Sequence, residues 1–302
     1  MNLKLITAFL EQNNILFSEN ENMASHTTFK TGGNADVFVC PETAEQLKCV
    51  IDHCRENNIP VTVIGNGSNI LVSDNGIEGV VITLAKINNI SLSGTEEITC
   101  GAGASLTAVC LFALKHSLTG LEFAYGIPGS VGGALYMNAG AYGGEIKNVV
   151  FSAQVLDKSG DITTVEEKDM LLGYRTSAFK TNGSIIISVT LKLQTGKPNE
   201  IKAEMDELMS RRRDKQPLEY PSAGSTFKRP AGHFAGALIE QSNLKGTCAG
   251  GAMVSEKHAG FIINYNNATT GDILALIENV QKTVYKKYGV MLEPEVIYIG
   301  RK

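Results

Sequence analysis

Tyr125-Gly126-Ile127-Pro128-Gly129-Ser130-Val131-Gly132-Gly133-Ala134-Leu135-Tyr136-Met137-Asn138-Ala139-Gly140-Ala141-Tyr142-Gly143-Gly144-Glu145 is the stretch whose reading decides the fold. Its glycines alternate with Ile, Val, Ala, Leu, Tyr and Met. The glycines of a flexible linker come instead with Ser, Gln or Glu and no apolar neighbours. This glycine is therefore buried, or beside something buried. Glycine permits positive φ and a close approach of another group to the backbone. A run of free N–H groups leading into a short helix suits a phosphate. A set of tight turns in a crowded core is the alternative, and the stretch fits both.

Upstream, Val61-Thr62-Val63-Ile64 has the β-branched content of a buried strand. It runs into Gly65-Asn66-Gly67-Ser68-Asn69 and then Ile70-Leu71-Val72. A strand delivering five small, donor-rich residues is a phosphate-cradle pattern. A glycine hairpin is the other reading, although a hairpin needs only two such residues. No third glycine opens a helix, so the Rossmann fingerprint is missing. Gly101-Ala102-Gly103-Ala104-Ser105-Leu106 fails the same way, with Leu106 where the third glycine belongs, and there is no Walker A motif.

Periodicity predicts the remaining elements. Residues 3–13 read as an amphipathic helix with Leu3, Ile6, Phe9 and Leu10 on one face. Thr43-Ala44-Glu45-Gln46 is a capping box opening a helix that buries Leu47, Val50, Ile51 and Cys54. Ser105 caps a helix ended by Gly120. Strands are expected at 149–156, 162–165 and 184–193, with a turn at 157–161. Asn199 is expected to cap a helix facing inward through Ile201, Met205, Leu208 and Met209. A helix over 234–241, two short strands, a helix over 272–288 ended by Gly289, and a strand over 290–299 follow, with Pro294 at an edge or bulge. Helices mixed with many short strands make an α+β chain.

At 302 residues two domains are expected. The boundary falls at Thr195-Gly196-Lys197-Pro198: residues 1–28 are a lead-in with the first helix, 29–196 one domain and 197–302 a second. The net charge of −4 leaves no electrostatic footprint for nucleic acid or acidic membranes. Arg211-Arg212-Arg213, the one basic cluster, falls at a helix end where cations complement the dipole. Cys40, Cys49, Cys54, Cys100, Cys110 and Cys248 form no C-x-x-C pair and read as reduced thiols, most of them buried. The histidines are scattered, so no metal site is expected. No secretory signal or membrane-spanning run is visible, which points to the cytoplasm.

Three places put polar residues in unexpected company. In Gly173-Tyr174-Arg175-Thr176-Ser177-Ala178-Phe179 the Arg fork suits a carboxylate or phosphate, with a surface ion pair the commoner use. Ser222-Ala223-Gly224-Ser225-Thr226-Phe227-Lys228-Arg229-Pro230 is either a functional loop or merely a polar one. Leu292-Glu293-Pro294-Glu295-Val296-Ile297-Tyr298, read as an alternating strand, puts both carboxylates on one face, as a solvated edge also would.

Together these motifs, with Thr31-Gly32-Gly33-Asn34-Ala35, resemble the UDP-N-acetylenolpyruvoylglucosamine reductase family over nearly the whole chain, in order and spacing. The resemblance implies an FAD-binding domain of the vanillyl-alcohol-oxidase type followed by a smaller α+β substrate-binding domain. It implies non-covalent FAD on Gly65, Asn66, Gly67, Ser68, Asn69, Gly126, Gly129, Ser130, Gly132, Gly133 and Asn138. Hydride would pass from NADPH to flavin N5, then to the enolpyruvyl group of UDP-N-acetylglucosamine enolpyruvate, yielding UDP-N-acetylmuramate for peptidoglycan. Arg175, Ser225 and Glu295 take the catalytic positions, with Ser225 donating the proton. Tyr174, Arg175, Lys215, Lys228 and Arg229 take substrate-binding positions, Arg229 standing where some members have Asn. The short span from Arg175 to Ser225 is similar to the branch lacking a tyrosine-bearing insertion. A monomer is the expected state.

Two other readings compete. A flavoprotein of the same fold oxidising an alcohol would often tether flavin through a His or Cys in the first cradle, and residues 65–69 contain neither. A nucleotide-sugar binding protein without redox chemistry would not need Arg175, Ser225 and Glu295 together.

Overall fold

The computed structural model describes residues 3–302. The chain divides into two compact units, each discontinuous in sequence. The first comprises Met1–Glu19, Val37–Asn66 and Gly79–Arg212; the second comprises Asn20–Asp36, Gly67–Glu78 and Arg213–Lys302. The division expected after residue 196 thus falls differently. Pro198–Lys215 supplies Ile201 and Met205 to the first unit's core, and two early segments go to the second.

In the first unit, α1 (Leu3–Gln12) buries Ile6 and Leu10. Helix α2 (Ala44–Glu56) starts where the Thr43 hydroxyl accepts from the Gln46 N–H. The Gln46 side chain accepts in return from Glu42 N–H, one residue earlier than a standard box. Helix α3 (Leu106–Lys115) is capped by Ser105 but stops at His116, short of Gly120. Ser117 already has a left-handed φ, and Leu118–Thr119 pairs with Gln194–Thr195. Helix α4 (Val131–Tyr136) lies inside the glycine-rich stretch and buries Val131, Gly132, Ala134 and Leu135. Helix α5 (Pro198–Lys215) opens on Pro198, not on an Asn199 cap. Proline's fixed φ and missing N–H cost nothing in a first turn.

These helices accompany a five-stranded antiparallel sheet in the order Ile162–Glu166, Val150–Leu156, Ile185–Lys192, Glu97–Gly101, Ile90–Leu92. A four-stranded sheet runs in the order Leu16–Asn22, Asn34–Cys40, Ile77–Thr83, Val61–Ile64, its last two strands parallel. All six cysteines are unbridged. Burial pushes the Cys54, Cys100 and Cys110 thiols up to about 12, whereas Cys248 is exposed.

In the second unit, α6 (Ala235–Gln241) and α7 (Thr270–Tyr288) enclose a core with Phe29, Leu71, Ile239, Ile262 and Ile273. A capping box of Thr269 and Asp272 opens α7, and Gly289 closes it at φ 68°. Three short strands, Cys248–Ala249, Ala252–Val254 and Ile262–Asn264, stand where two were expected. The expected strand over 290–299 shrinks to Ile297–Ile299, parallel to Ile70–Val72. Before it, the chain makes an isolated bridge between Phe227 and Pro294. Lys228 N–H donates to Glu293 O and Glu295 N–H to Thr226 O, at 2.8 Å each, so the ladder needs nothing from Pro294's absent N–H. Among the described residues no helix is long and apolar enough to cross a membrane.

Candidate active site

In the first unit, the strand Val61–Ile64 delivers Gly65 against the glycine-rich stretch. A β-carbon on Gly65 would lie 2.4 Å from Ser130 Oγ. That hydroxyl caps α4 by accepting from Gly133 N–H at 3.3 Å. Gly132 has no room either, because its β-carbon would meet that of Ala102 at 2.8 Å. Gly129 is held by Leu106 N–H, which donates to its carbonyl. Gly65 and Gly132 are therefore needed by the protein's own packing, as the crowded-core reading had it. The cradle reading keeps its force at residues 66–69. The N–H groups of Asn66, Gly67, Ser68 and Asn69 donate to no carbonyl among the described residues, a free donor run of the kind a pyrophosphate takes. On that observation these residues fit FAD.

Asn138 follows α4 at φ 42° and is 1% exposed. Its side chain is spent within the unit. Nδ2 donates to Glu145 Oε2 at 3.0 Å and to Gly173 O at 2.9 Å, and Oδ1 accepts from Lys147 N–H at 2.9 Å. This fastens the hairpin Gly140–Ala141 and Gly144–Glu145 to the turn carrying Arg175. Arg175 sits at φ 53°, a left-handed backbone that costs a non-glycine residue of order 1–3 kcal/mol and gathers at functional sites. Its Nη2 donates to Gly140 O at 3.4 Å, and its guanidinium lies 5.7 Å from the ring of exposed Tyr174. Hydrogen bonding to Lys147 first, then to Asn138, with the charges of Lys147 and Arg175, holds the Glu145 carboxyl below its usual range.

Arg212 departs from expectation. The sequence places it in a basic cluster that complements the dipole at a helix end, but its side chain is buried in the first unit. Its guanidinium lies 5.5 Å from the Tyr142 ring, and Gly126 leaves space for its Nε. Burial lowers its pKa. Arg211 covers the same ring at 5.0 Å. The one sequence signal for this cluster was an arginine triplet on a helix whose apolar period stops one turn earlier.

In the second unit, a β-carbon on Gly67 would lie 2.0 Å from His26 O. Neighbouring protein backbone therefore demands this glycine. Asn69 Nδ2 donates to Glu295 O at 3.2 Å, and Ile297 N–H donates to Asn69 O at 3.0 Å. The cradle loop thus grips the strand entry that carries the half-buried Glu295. Ser225 is exposed beside Thr226, which is wholly buried. Lys228 Nζ pairs with Glu293 Oε2 at 2.9 Å, and Arg229 lies 4.0 Å over the Phe234 ring. Lys215 is exposed at the end of α5. The sequence motifs thus bring Asn69, Ser225 and Glu295 into one unit, while Tyr174, Arg175, Ser130 and Asn138 belong to the other.

Such a chain is a flavoprotein: residues 35–166 match the FAD binding domain family. Residues 216–299 match the family described as UDP-N-acetylenolpyruvoylglucosamine reductase, C-terminal domain. The UDP-N-acetylenolpyruvoylglucosamine reductase of Clostridium novyi is 52% identical over 291 residues, covering 96% of this chain and 92% of the relative. That of Clostridium tetani is 53% identical over 281 residues, covering 93% and 91%. The crystal structure of UDP-N-acetylenolpyruvylglucosamine reductase from Thermus caldophilus superposes with a TM-score of 0.80 at 34% identity, covering 94% of this chain and 98% of that one. The chain belongs to the UDP-N-acetylenolpyruvoylglucosamine reductase family, and it is an FAD-dependent oxidoreductase.

Proposed function

We propose that this chain reduces the enolpyruvyl group of UDP-N-acetylglucosamine enolpyruvate to give UDP-N-acetylmuramate for peptidoglycan, with NADPH as hydride donor, in the cytoplasm and as a monomer. The observation that carries the reading is identity of 52% across 96% of the chain, and Arg175, Ser225 and Glu295 lie in the motifs that carry the resemblance. FAD, held non-covalently by residues of the 35–166 region, would take hydride from NADPH in one half-reaction and supply it to the terminal alkene carbon in the next.

The chain's own residues have distinct tasks. Arg175 holds the substrate carboxylate and faces the negative charge that spreads into it, the work of a fixed cation. Its strained backbone supports this role, since such strain persists only where surroundings impose it. Ser225 gives its hydroxyl proton to the α-carbon: an O–H bond breaks, a C–H bond forms, and the oxygen keeps the electron pair. Glu295 stands ready beside it as the catalytic carboxylate. Lys215, Lys228, Arg229 and Tyr174 meet the nucleotide sugar. Lys228 is tied to Glu293 in the free protein, so its contact requires exchanging one carboxylate for the substrate's anionic oxygens.

The test is Ser225→Ala in stopped flow. Flavin bleaching by NADPH should proceed at the normal rate. Reoxidation by the enolpyruvyl substrate should slow ~10²–10⁴-fold for want of the general acid. Ser225→Cys should recover part of the loss. Slow bleaching with normal reoxidation would move the proton donor to another residue.

A further inference from the structure

Thr226 is wholly buried, between exposed Ser225 and Phe227 of the bridge to Pro294. Each of its polar groups is used, and each reaches a different segment. Its N–H donates to Gly260 O at 2.8 Å. Its carbonyl accepts from Glu295 N–H at 2.8 Å. Its Oγ1 accepts from Ile262 N–H at 3.0 Å. The backbone bonds could be made by any residue. The third requires a hydroxyl.

We propose that Thr226 is a positioning residue that holds Ser225 and Glu295 in register with each other. This rests on the roles given above to Ser225 and Glu295. The Ile262 N–H belongs to a residue 1% exposed, at the start of the strand Ile262–Asn264. Without the hydroxyl that donor is left buried and unpaired, at the cost of a whole desolvation. The turn before it is already stiff, because Gly260 N–H donates to His258 Nδ1 at 3.1 Å. The Thr226 hydroxyl therefore ties the Ser225 loop to a rigid ledge. Glu295 is then held at both ends of its own backbone: its N–H by the Thr226 carbonyl, its carbonyl by Asn69 Nδ2. Loosening Thr226 frees the N–H end of Glu295 and the peptide of Ser225 together, and leaves the Asn69 end fixed. A relative displacement of two reacting groups follows, and catalysis is steeply sensitive to that.

Thr226→Val keeps the shape and removes the hydroxyl; Thr226→Ser keeps the hydroxyl. In stopped flow the valine variant should reoxidise with the enolpyruvyl substrate ~10–100-fold more slowly, the scale of a small misplacement. Its flavin bleaching by NADPH should stay within about twofold of wild type, and serine should restore reoxidation. In a Ser225→Ala background the valine change should add less than it does in wild type, since one of the two groups it positions is gone. Equal slowing of both half-reactions, no slowing in either, or failure of serine to restore would overturn the proposal. So would losses that multiply fully in the double variant. If Ser225→Ala itself reoxidises normally, the proton-donor reading fails, and the same cycle run with Glu295→Gln then decides the role of Thr226. If the valine variant does not fold, Thr226→Ala replaces it, because its smaller side chain leaves room for a water on the Ile262 N–H.

Discussion

Asn138→Ala tests how the Arg175 turn is held. Alanine loses the bonds to Gly173 O and Lys147 N–H, each contributing about 1 kcal/mol net. The bond to Glu145 adds little more, because that carboxylate reaches water. Alanine must also take a φ of 42°, which costs ~1–2 kcal/mol for a residue with a β-carbon and less for Asn. The expected loss is about 3 kcal/mol, read as a lower urea midpoint at unchanged slope. Asn138→Gly loses the same bonds but not the backbone penalty. It should be the more stable variant by about 0.5–1 kcal/mol, after allowing for glycine's greater unfolded-state entropy. Both variants should raise KM for the enolpyruvyl substrate, because Gly173 no longer anchors the turn, and should leave the NADPH half-reaction alone. An alanine variant as stable as the glycine one would refute the left-handed-backbone argument. One within ~0.5 kcal/mol of wild type would refute the hydrogen-bond argument.

Glu295→Gln should lose turnover by ~10²–10⁴-fold, while Glu293→Gln stays near wild type, since its exposed pair with Lys228 is worth about 0–1 kcal/mol. Equal losses in the two would end the distinction. Burial lowers the His258 pKa below 6.5, with Lys245 acting in the same direction and Glu240 against it. The unfolded chain therefore takes the proton more readily, and stability is lost as pH falls through 6.5 towards the folded value. Melting temperatures taken between roughly pH 7.5 and 5.5 should fall less in His258→Asn than in wild type, and an identical fall would exclude His258 as a source.

Local chemistry made much of the fold readable. Thr43, Ser105 and Gly289 mark helix ends by their caps, and the β-branched run at 61–64 is the strand expected. The misses share a cause, which is that the deciding partner lies far off in sequence. Arg212 reads as a cation complementing a helix dipole until Gly126 and Tyr142 are found against it. Thr226 looks like part of a polar loop until Ile262 N–H is found on its hydroxyl. Gly67 is glycine because of the His26 carbonyl, so Gly67→Val would disturb the fold as well as any cofactor. Of the residues proposed above to act on the substrate, Arg175, Ser225 and Glu295 stood out in the sequence. The residues proposed to orient them did not, because Asn138, Asn69 and Thr226 bond through single atoms to remote segments.

Asp74 closes the start of α7: its carboxylate accepts from Thr270 N–H and Gly271 N–H at 2.9 Å each, and the Thr270 hydroxyl donates to Val72 O. Asp74 and Thr270 are 196 positions apart. Closing a loop of that length costs about 5 kcal/mol of chain entropy before any contact repays it. During synthesis, residues 67–78 emerge long before the helix they will cap. They must wait, with Leu71 of the second core uncovered, until α7 leaves the ribosome. A unit assembled from such distant pieces completes late and all at once, and the waiting segment is its point of exposure to misfolding and proteolysis.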